Sequence, residues 1–435
     1  MEPATASLIL IGIMLAILTT GVWIGLALGL VGYIAFVLMT NANPALSFAT
    51  TVWGSMNSWT LTALPMFIWM GEILFRSSLS DDMFKGLAPW MQRLPGRLLH
   101  TNVFGCGIFA AISGSSAATA ATIGKMTIPE LRKRGYDDFM NIGSLAGSGT
   151  LGLLIPPSII MIVYGVAAEV SIARLFIAGV IPGILLMLVF SGVLMSWAVL
   201  NPDKVPPRDP PMSLREKLHE SRRLIPIVAL IVIVLGSIYT GVATPTESAV
   251  LGVVGSLVLT VLTRTFSWEM FNASVMGAVR TNAMIGLILA GASFLTVAMG
   301  FTGLPRIFAE WINSLGLSQF MLIMALMIVY IVLGCLIDGI SMVVLTAAVV
   351  MPAVKAAGID LVWFGIFVVL VVEMAQITPP VGFNLYVLQG LTAKPMGYIA
   401  LAALPFFLAM IAMVFVIILV PDLVTWLPNQ MLGQK

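Results

Sequence analysis

Charge is what this chain lacks most: of its 435 residues only 9% are Asp, Glu, Lys or Arg, whereas 60% are hydrophobic and the mean hydropathy is +1.07. Soluble domains carry about a quarter charged residues, so a water-soluble globular protein is excluded and the chain belongs in a membrane. Net charge is only +2, which offers nothing to nucleic acid or to an acidic partner. Cysteine is equally scarce. Cys106 and Cys335 both sit inside apolar runs, and the two histidines, His100 and His219, are far apart, so no disulfide framework, haem or metal cluster is offered. Glu2 and the absence of Lys or Arg from Met1 to Ser7 leave no basic region for a cleavable signal, and the first apolar run is expected to be a retained span. There is no Gly-rich Lys-Ser or Lys-Thr loop to hold ATP phosphates. A membrane-embedded protease would need Ser with His, or two facing Asp, and His100 sits too near the first loop. A channel would need a continuous polar helix face, which the Pro-Pro pairs interrupt.

What the chain does have is long uncharged stretches. A spanning helix needs roughly 20 apolar residues, so there is material for about ten crossings. In the first half the spans fall at about residues 6–20, 22–40 and 47–75, followed by an amphipathic surface segment to 97, a broken stretch 98–124, a broken span 139–168 and a last span 174–199. Residues 201–223 form the one extended hydrophilic stretch, with five prolines, six cations and four anions, and read as a linker between halves 1–200 and 224–435. The halves resemble each other at an offset of 223: Pro129, Gly135, Asp137, Pro156 and Pro157 fall on Pro352, Gly358, Asp360, Pro379 and Pro380. With two residues fewer between them, Gly114 also falls on Gly339.

Five crossings per half would turn the second half upside down, and positive charge tests this because cytoplasmic loops collect Lys and Arg. Lys125, Arg132, Lys133 and Arg134 follow the first broken stretch, whereas its counterpart, Pro352 to Asp360, holds Lys355 alone. Arg76, Lys85, Arg93 and Arg97 line the first surface segment, against Arg306 alone between Phe301 and Leu315. The expectation is a cytoplasmic linker, with Lys204, Arg208, Arg215, Lys217, Arg222 and Arg223, and both termini outside. The fold class is therefore an all-α integral membrane protein built as an inverted repeat, with two re-entrant helical hairpins and two broken helices.

Hydrocarbon cannot hydrogen-bond free N–H and C=O groups, so a helix broken at membrane depth must be buried in protein or line a polar cavity. Each arm beside Ser113–Ser116 is about 12–15 residues, roughly 20 Å, short of the roughly 30 Å core, which suits a hairpin better than a span. At its tip Gly114 allows the turn, and the hydroxyls of Ser113, Ser115 and Ser116 with unwound carbonyls suit Na⁺. The opposing break runs from Gly149 through Pro156 to Ser158, its prolines freeing carbonyls about one turn earlier. The second half repeats this with Asp338, Gly339 and Ser341 against Thr378, Pro379, Gly382 and Asn384. Half-helix N-termini beyond the breaks can face a carboxylate. Two cation sites flanking one substrate site are expected. Singly, the small residues could be a helix-packing surface and each Pro-Pro a kink; their recurrence in both halves favours function. Asp338 and Glu373 lie in apolar surroundings, where an acid is costly unless used. Thr244-Pro245-Thr246-Glu247 reads as a helix start, and His100 as an interfacial residue.

These motifs resemble the large membrane subunit of TRAP (tripartite ATP-independent periplasmic) transporters, the dicarboxylate-type DctM family. Gly114-Ser115-Ser116-Ala117, Pro129, Gly135-Tyr136, Ile155-Pro156-Pro157-Ser158, Pro245-Thr246-Glu247, Gly358-Ile359-Asp360, Thr378-Pro379-Pro380-Val381-Gly382 and Asn384-Leu385-Tyr386 carry the resemblance, which runs essentially end to end. It implies an elevator carrier in the bacterial inner membrane, coupled to Na⁺ with no other cofactor. The implied partners are a separate small four-helix membrane subunit of the DctQ type and a periplasmic binding protein of the DctP type that delivers a small organic acid. Family Na⁺ ligands map onto the first hairpin tip and onto the second hairpin with Thr378; substrate contacts map onto Ser115, Ser158 and Asp338. Val371 and Ala375 depart from the pattern, standing where the family commonly has Asn and Gly, which leaves the second cation site's ligands open. The other carrier compatible with these residues is a citrate or dicarboxylate symporter of the same superfamily that works without a binding protein.

Overall fold

The computed structural model describes residues 9–432, apart from 11, 15, 18, 78, 211, 304–306, 308, 309, 311–313 and 336. Met1 to Ser7, much of the first span and Arg306 lie outside the described residues. Among these the chain is helical and contains no strand. The first half comprises α1 (Ile24–Met39), α2 (Pro44–Met56), α3 (Ala63–Phe75), the surface helix α4 (Leu79–Met91), α5 (His100–Ser113), α6 (Ser116–Lys133), α7 (Asp138–Gly149), the single turn α8 (Leu151–Leu154), α9 (Ile159–Ala167) and α10 (Ile172–Leu200). The linker holds α11 (Leu214–Ser221). Then come α12 (Ile225–Tyr239), α13 (Pro245–Leu262), α14 (Trp268–Thr302), α15 (Gln319–Gly334), α16 (Gly339–Ala356), α17 (Leu361–Gln376), α18 (Phe383–Thr392), α19 (Met396–Leu419) and α20 (Asp422–Leu432).

Helix starts follow capping chemistry. Asn43, Asp137, Ser158, Ser171, Ser267, Ser318, Asp338 and Asp360 each accept a backbone N–H of the first turn they precede. Thr244 and Glu247 form a reciprocal capping box with Pro245 at the first position, the helix start the sequence suggests. Among the described residues, five helices are long and apolar enough to cross a membrane, or up to eight if each bent pair counts as a single span. The expected span 47–75 is one of those pairs: it is broken at Asn57–Ser58, where its parts bend by 61°. The break contains no proline; Asn57 leaves helical geometry at ψ 49 and Ser58 is extended. Its second-half counterpart, α14, runs on unbroken for 35 residues.

The two sequence halves interleave into two packed groups. In one, α1 lies against α14, with Phe36 stacked on Phe294 at 5.1 Å, and α3 packs on α13, where Gly252 admits Met70. The other group contains both hairpins, both broken helices, α10 and α19; Gly143 and Gly147 bring α7 onto Ala402 and Phe406 of α19. Outside, exposed Trp23, Trp53, Trp59 and Trp268 and many exposed Leu, Val and Ile give the apolar surface a lipid-facing helix bundle needs.

Candidate functional site

The first hairpin turns where α5 ends at Gly114, whose φ of +61° is left-handed backbone that an L-residue adopts only with strain. Ser113 and Ser115 then organise the tip. The hydroxyls of Ser113 and Thr119 are 2.7 Å apart, the Thr119 hydroxyl donates to the Ser115 carbonyl at 2.8 Å, and the Ser115 hydroxyl caps α6. The first broken helix grips this tip. Ile159 N–H donates to the Gly114 carbonyl at 3.2 Å, a methyl on residue 114 would lie 2.8 Å from the Pro157 carbonyl, and one on Gly152 2.6 Å from the Ser115 carbonyl.

The second tip has no left-handed glycine among the described residues; Gly339 opens α16 behind the Asp338 cap. Asp338 Oδ2 accepts Ile340 and Ser341 N–H, each at 3.1 Å, while Oδ1 accepts the Ser341 hydroxyl. Gly339 packs directly on Val372 of α17, with Ile160 of the first broken helix close by. Beyond, Thr378 donates its hydroxyl to the Met374 carbonyl at 2.7 Å. The backbone turns so tightly at Gly382 that a methyl there would sit 2.9 and 3.0 Å from the Thr378 and Gln376 carbonyls. Both Pro-Pro peptides, Pro156-Pro157 and Pro379-Pro380, are cis.

Both tips open onto a single cavity of about 650 Å³ at the boundary between the two groups of helices. Of the residues the sequence singles out, Ser113, Gly114, Ser115, Ser116, Asp338 and Gly339 line it. Gly149, Pro156, Ser158, Ser341, Thr378, Pro379, Gly382 and Asn384 stand off the wall. Ser158 is fully buried as the cap of α9. Asn384 is buried near Gly149, and neither amide atom has a hydrogen-bond partner among the described residues. Four helix N-termini meet at the cavity: Ser116–Ala118 of α6, Ile159 and Ile160 of α9, Gly339 and Ile340 of α16, and Phe383 of α18. Each carries about half a positive charge.

The opposite wall comes from segments that the site reading of the sequence passed over: Ile68, Gly71, Glu72 and Phe75 of α3, and Thr281 and Met284 of α14. Glu72 forms an ion pair with Arg76 at 2.9 Å. An acid inside the apolar run 63–75 is the same signal that singled out Asp338. Glu72 and Asp338 are the ionisable residues on the wall, which carries no Lys, Arg or His among the described residues. His100 is fully buried within the protein: its ring nitrogens reach the Pro95 carbonyl at 2.6 Å and the Ser191 hydroxyl at 2.8 Å.

Comparison with known proteins gives this geometry a family. Residues 11–423 match the family model described as the DctM component of the tripartite ATP-independent periplasmic transporter. A C4-dicarboxylate TRAP transporter large permease protein of Pseudomonas aeruginosa is 32% identical, covering 93% of this chain and 94% of its own. An isethionate TRAP transporter permease protein, DctMQ, of Oleidesulfovibrio alaskensis is 30% identical over 95% of this chain but only 65% of its own. Among solved structures, the YdaH transporter of Alcanivorax borkumensis shares the fold with a TM-score of 0.65 at 14% identity, over 95% of this chain and 98% of that one. With the match running through nearly every described helix, the chain belongs to the DctM component family of tripartite ATP-independent periplasmic transporters.

Proposed function

We propose that this permease carries out Na⁺-coupled uptake of a small organic acid across the bacterial inner membrane, taking it from a periplasmic binding protein and working with a separate small membrane subunit. The observation that carries this reading is the convergence of four helix N-termini on one cavity whose only ionisable wall groups, among the described residues, are acids. Helix N-termini attract a carboxylate. Glu72 is paired with Arg76, but the Asp338 carboxylate repels it, so an organic anion gains full charge complementarity only when a cation enters with it. Carbonyls at the Ser113–Ser115 tip and around Gly382 are the oxygen donors from which two Na⁺ sites would be assembled. A volume of about 650 Å³ matches small-molecule sites.

Placement of the cavity supports an elevator movement. One wall belongs to α3 and α14, the other to hairpins and broken helices, so sliding one group against the other would carry the site across the membrane. The linker on the cytoplasmic side and the termini on the periplasmic side belong to the same reading.

Reconstitution into vesicles tests it. The permease, the small subunit and the binding protein together, under an inward Na⁺ gradient, give uptake that ceases when Na⁺ or the binding protein is omitted. Transport by the permease alone would replace this reading with that of a self-sufficient symporter.

A further inference from the structure

We propose that the linker and the surface helix α4 enclose a second site, which binds a phosphate-bearing anion, with an anionic phospholipid headgroup as its ligand. This inference does not depend on which substrate is transported.

A cavity of about 380 Å³ lies between α4, the turn after α6 and residues 208–220 of the linker. Among the described residues its wall holds five cations, Lys85, Arg93, Arg134, Arg208 and Lys217, against two acids. Both acids are already engaged. Asp209 accepts Gln92 and Arg134, each at 2.6 Å, and Glu220 pairs with Arg223 at 2.9 Å. Lys85, Arg93, Arg208 and Lys217 have no ion pair among the described residues. Lys217 is the decisive one. It is only 6% exposed, and its ammonium stands 5.7 Å from the Trp90 ring centre; the ring is itself held by a 2.7 Å bond from its Nε1 to the Ser221 hydroxyl. The Lys217 stem is packed away while its ammonium faces the cavity with no carboxylate partner, a charge that an anion in the cavity would satisfy.

Phosphate is the anion these donors suit, since guanidinium groups bind it bidentately and an ammonium adds a point charge. The surroundings point to a lipid as its source. Leu214 and Leu218, one helical turn apart on α11, are 66% and 55% exposed, and Trp90 and Met212 are exposed beside them. Apolar side chains around a basic pocket are the arrangement that seats a headgroup while its acyl chains lie alongside.

The test uses the purified full chain in detergent, with thermal melting followed during titration with phosphatidylglycerol, cardiolipin, phosphatidylcholine or inorganic phosphate. The variant R93Q/R208Q removes two exposed wall charges, and K133Q/K204Q removes two exposed charges that are not on the wall. Phosphatidylglycerol and cardiolipin should raise the melting temperature where phosphatidylcholine does not. R93Q/R208Q should raise the lipid concentration needed for a given shift about 25-fold, at roughly fivefold per charge, and K133Q/K204Q should leave it largely unchanged. Stabilisation by inorganic phosphate alone, lost in R93Q/R208Q, would support the phosphate site and identify a soluble anion as its ligand. Equal responses to phosphatidylcholine and phosphatidylglycerol, or equal losses in the two double variants, would overturn the proposal.

Discussion

Gly114→Ala tests the first hairpin tip most sharply. Two costs combine at this position. A φ of +61° costs an L-residue about 1–2 kcal/mol. The new methyl would also lie 2.8 Å from the Pro157 carbonyl, an overpacking that adds about 1–3 kcal/mol. Together they oppose the observed tip by about 2–5 kcal/mol, and each 1.4 kcal/mol is a tenfold change in population. If the tip carbonyls hold Na⁺, the Na⁺ concentration for half-maximal uptake should therefore rise at least tenfold in reconstituted vesicles, and the melting temperature should fall. Gly390→Ala is the matched control, because nothing lies within 4 Å of the added methyl in α18. Alanine is favoured there by about 0.5–1 kcal/mol, so this variant should melt at or above the parent and keep its Na⁺ curve. A Gly114→Ala protein with parental melting and an unmoved Na⁺ curve would refute the reasoning.

Asp338→Asn should abolish uptake while preserving melting, because Asn caps a helix about as well as Asp and only the charge is lost; normal uptake would remove the carboxylate from the mechanism. Ser158→Ala should lower stability by about 1 kcal/mol through the lost cap on Met161 N–H, and leave the substrate concentration for half-maximal uptake within about twofold, since Ser158 lies off the cavity wall. A large change in that concentration with unaltered melting would place the hydroxyl on the substrate instead. Glu373 is fully buried beside the Thr150 hydroxyl, and neither carboxylate oxygen has a hydrogen bond of good geometry among the described residues. Glu373→Gln should accordingly melt no lower than the parent, and a clear drop would reveal a partner for the charge.

The broken helices were legible because proline has no N–H to donate and glycine turns where other residues strain. Pro156-Pro157 and Pro379-Pro380 therefore announce the same device twice, and Gly114 marks the first turn, whereas Gly339 proves to be the first residue of α16. Helix starts such as Thr244 to Glu247 were legible for the same local reason. Less could be read where one residue type serves two purposes. The family resemblance points to Ser158 as a substrate contact, and the structure shows its hydroxyl capping α9, a role that a serine before an apolar run can also fill. Asn57 and Ser58 bend α2 from α3 without proline, and two polar residues alone do not distinguish a break from a continuous span. The scaffold wall was hidden for a different reason. Glu72 and Thr281 meet across more than 200 residues of sequence, and only packing brings them to the hairpin tips.

A single cysteine at position 115, in a chain whose Cys106 and Cys335 are replaced, gives the most direct measurement of the central claim that both tips close around one shared site for ions and substrate. Its labelling by a membrane-impermeant maleimide would be timed in Na⁺ alone, in substrate alone and in both, with reagent applied to each face of the vesicle. Strong protection by Na⁺ and substrate together, with labelling from both faces when neither is bound, is the predicted result. A rate that neither Na⁺ nor substrate changes from either face would contradict the account.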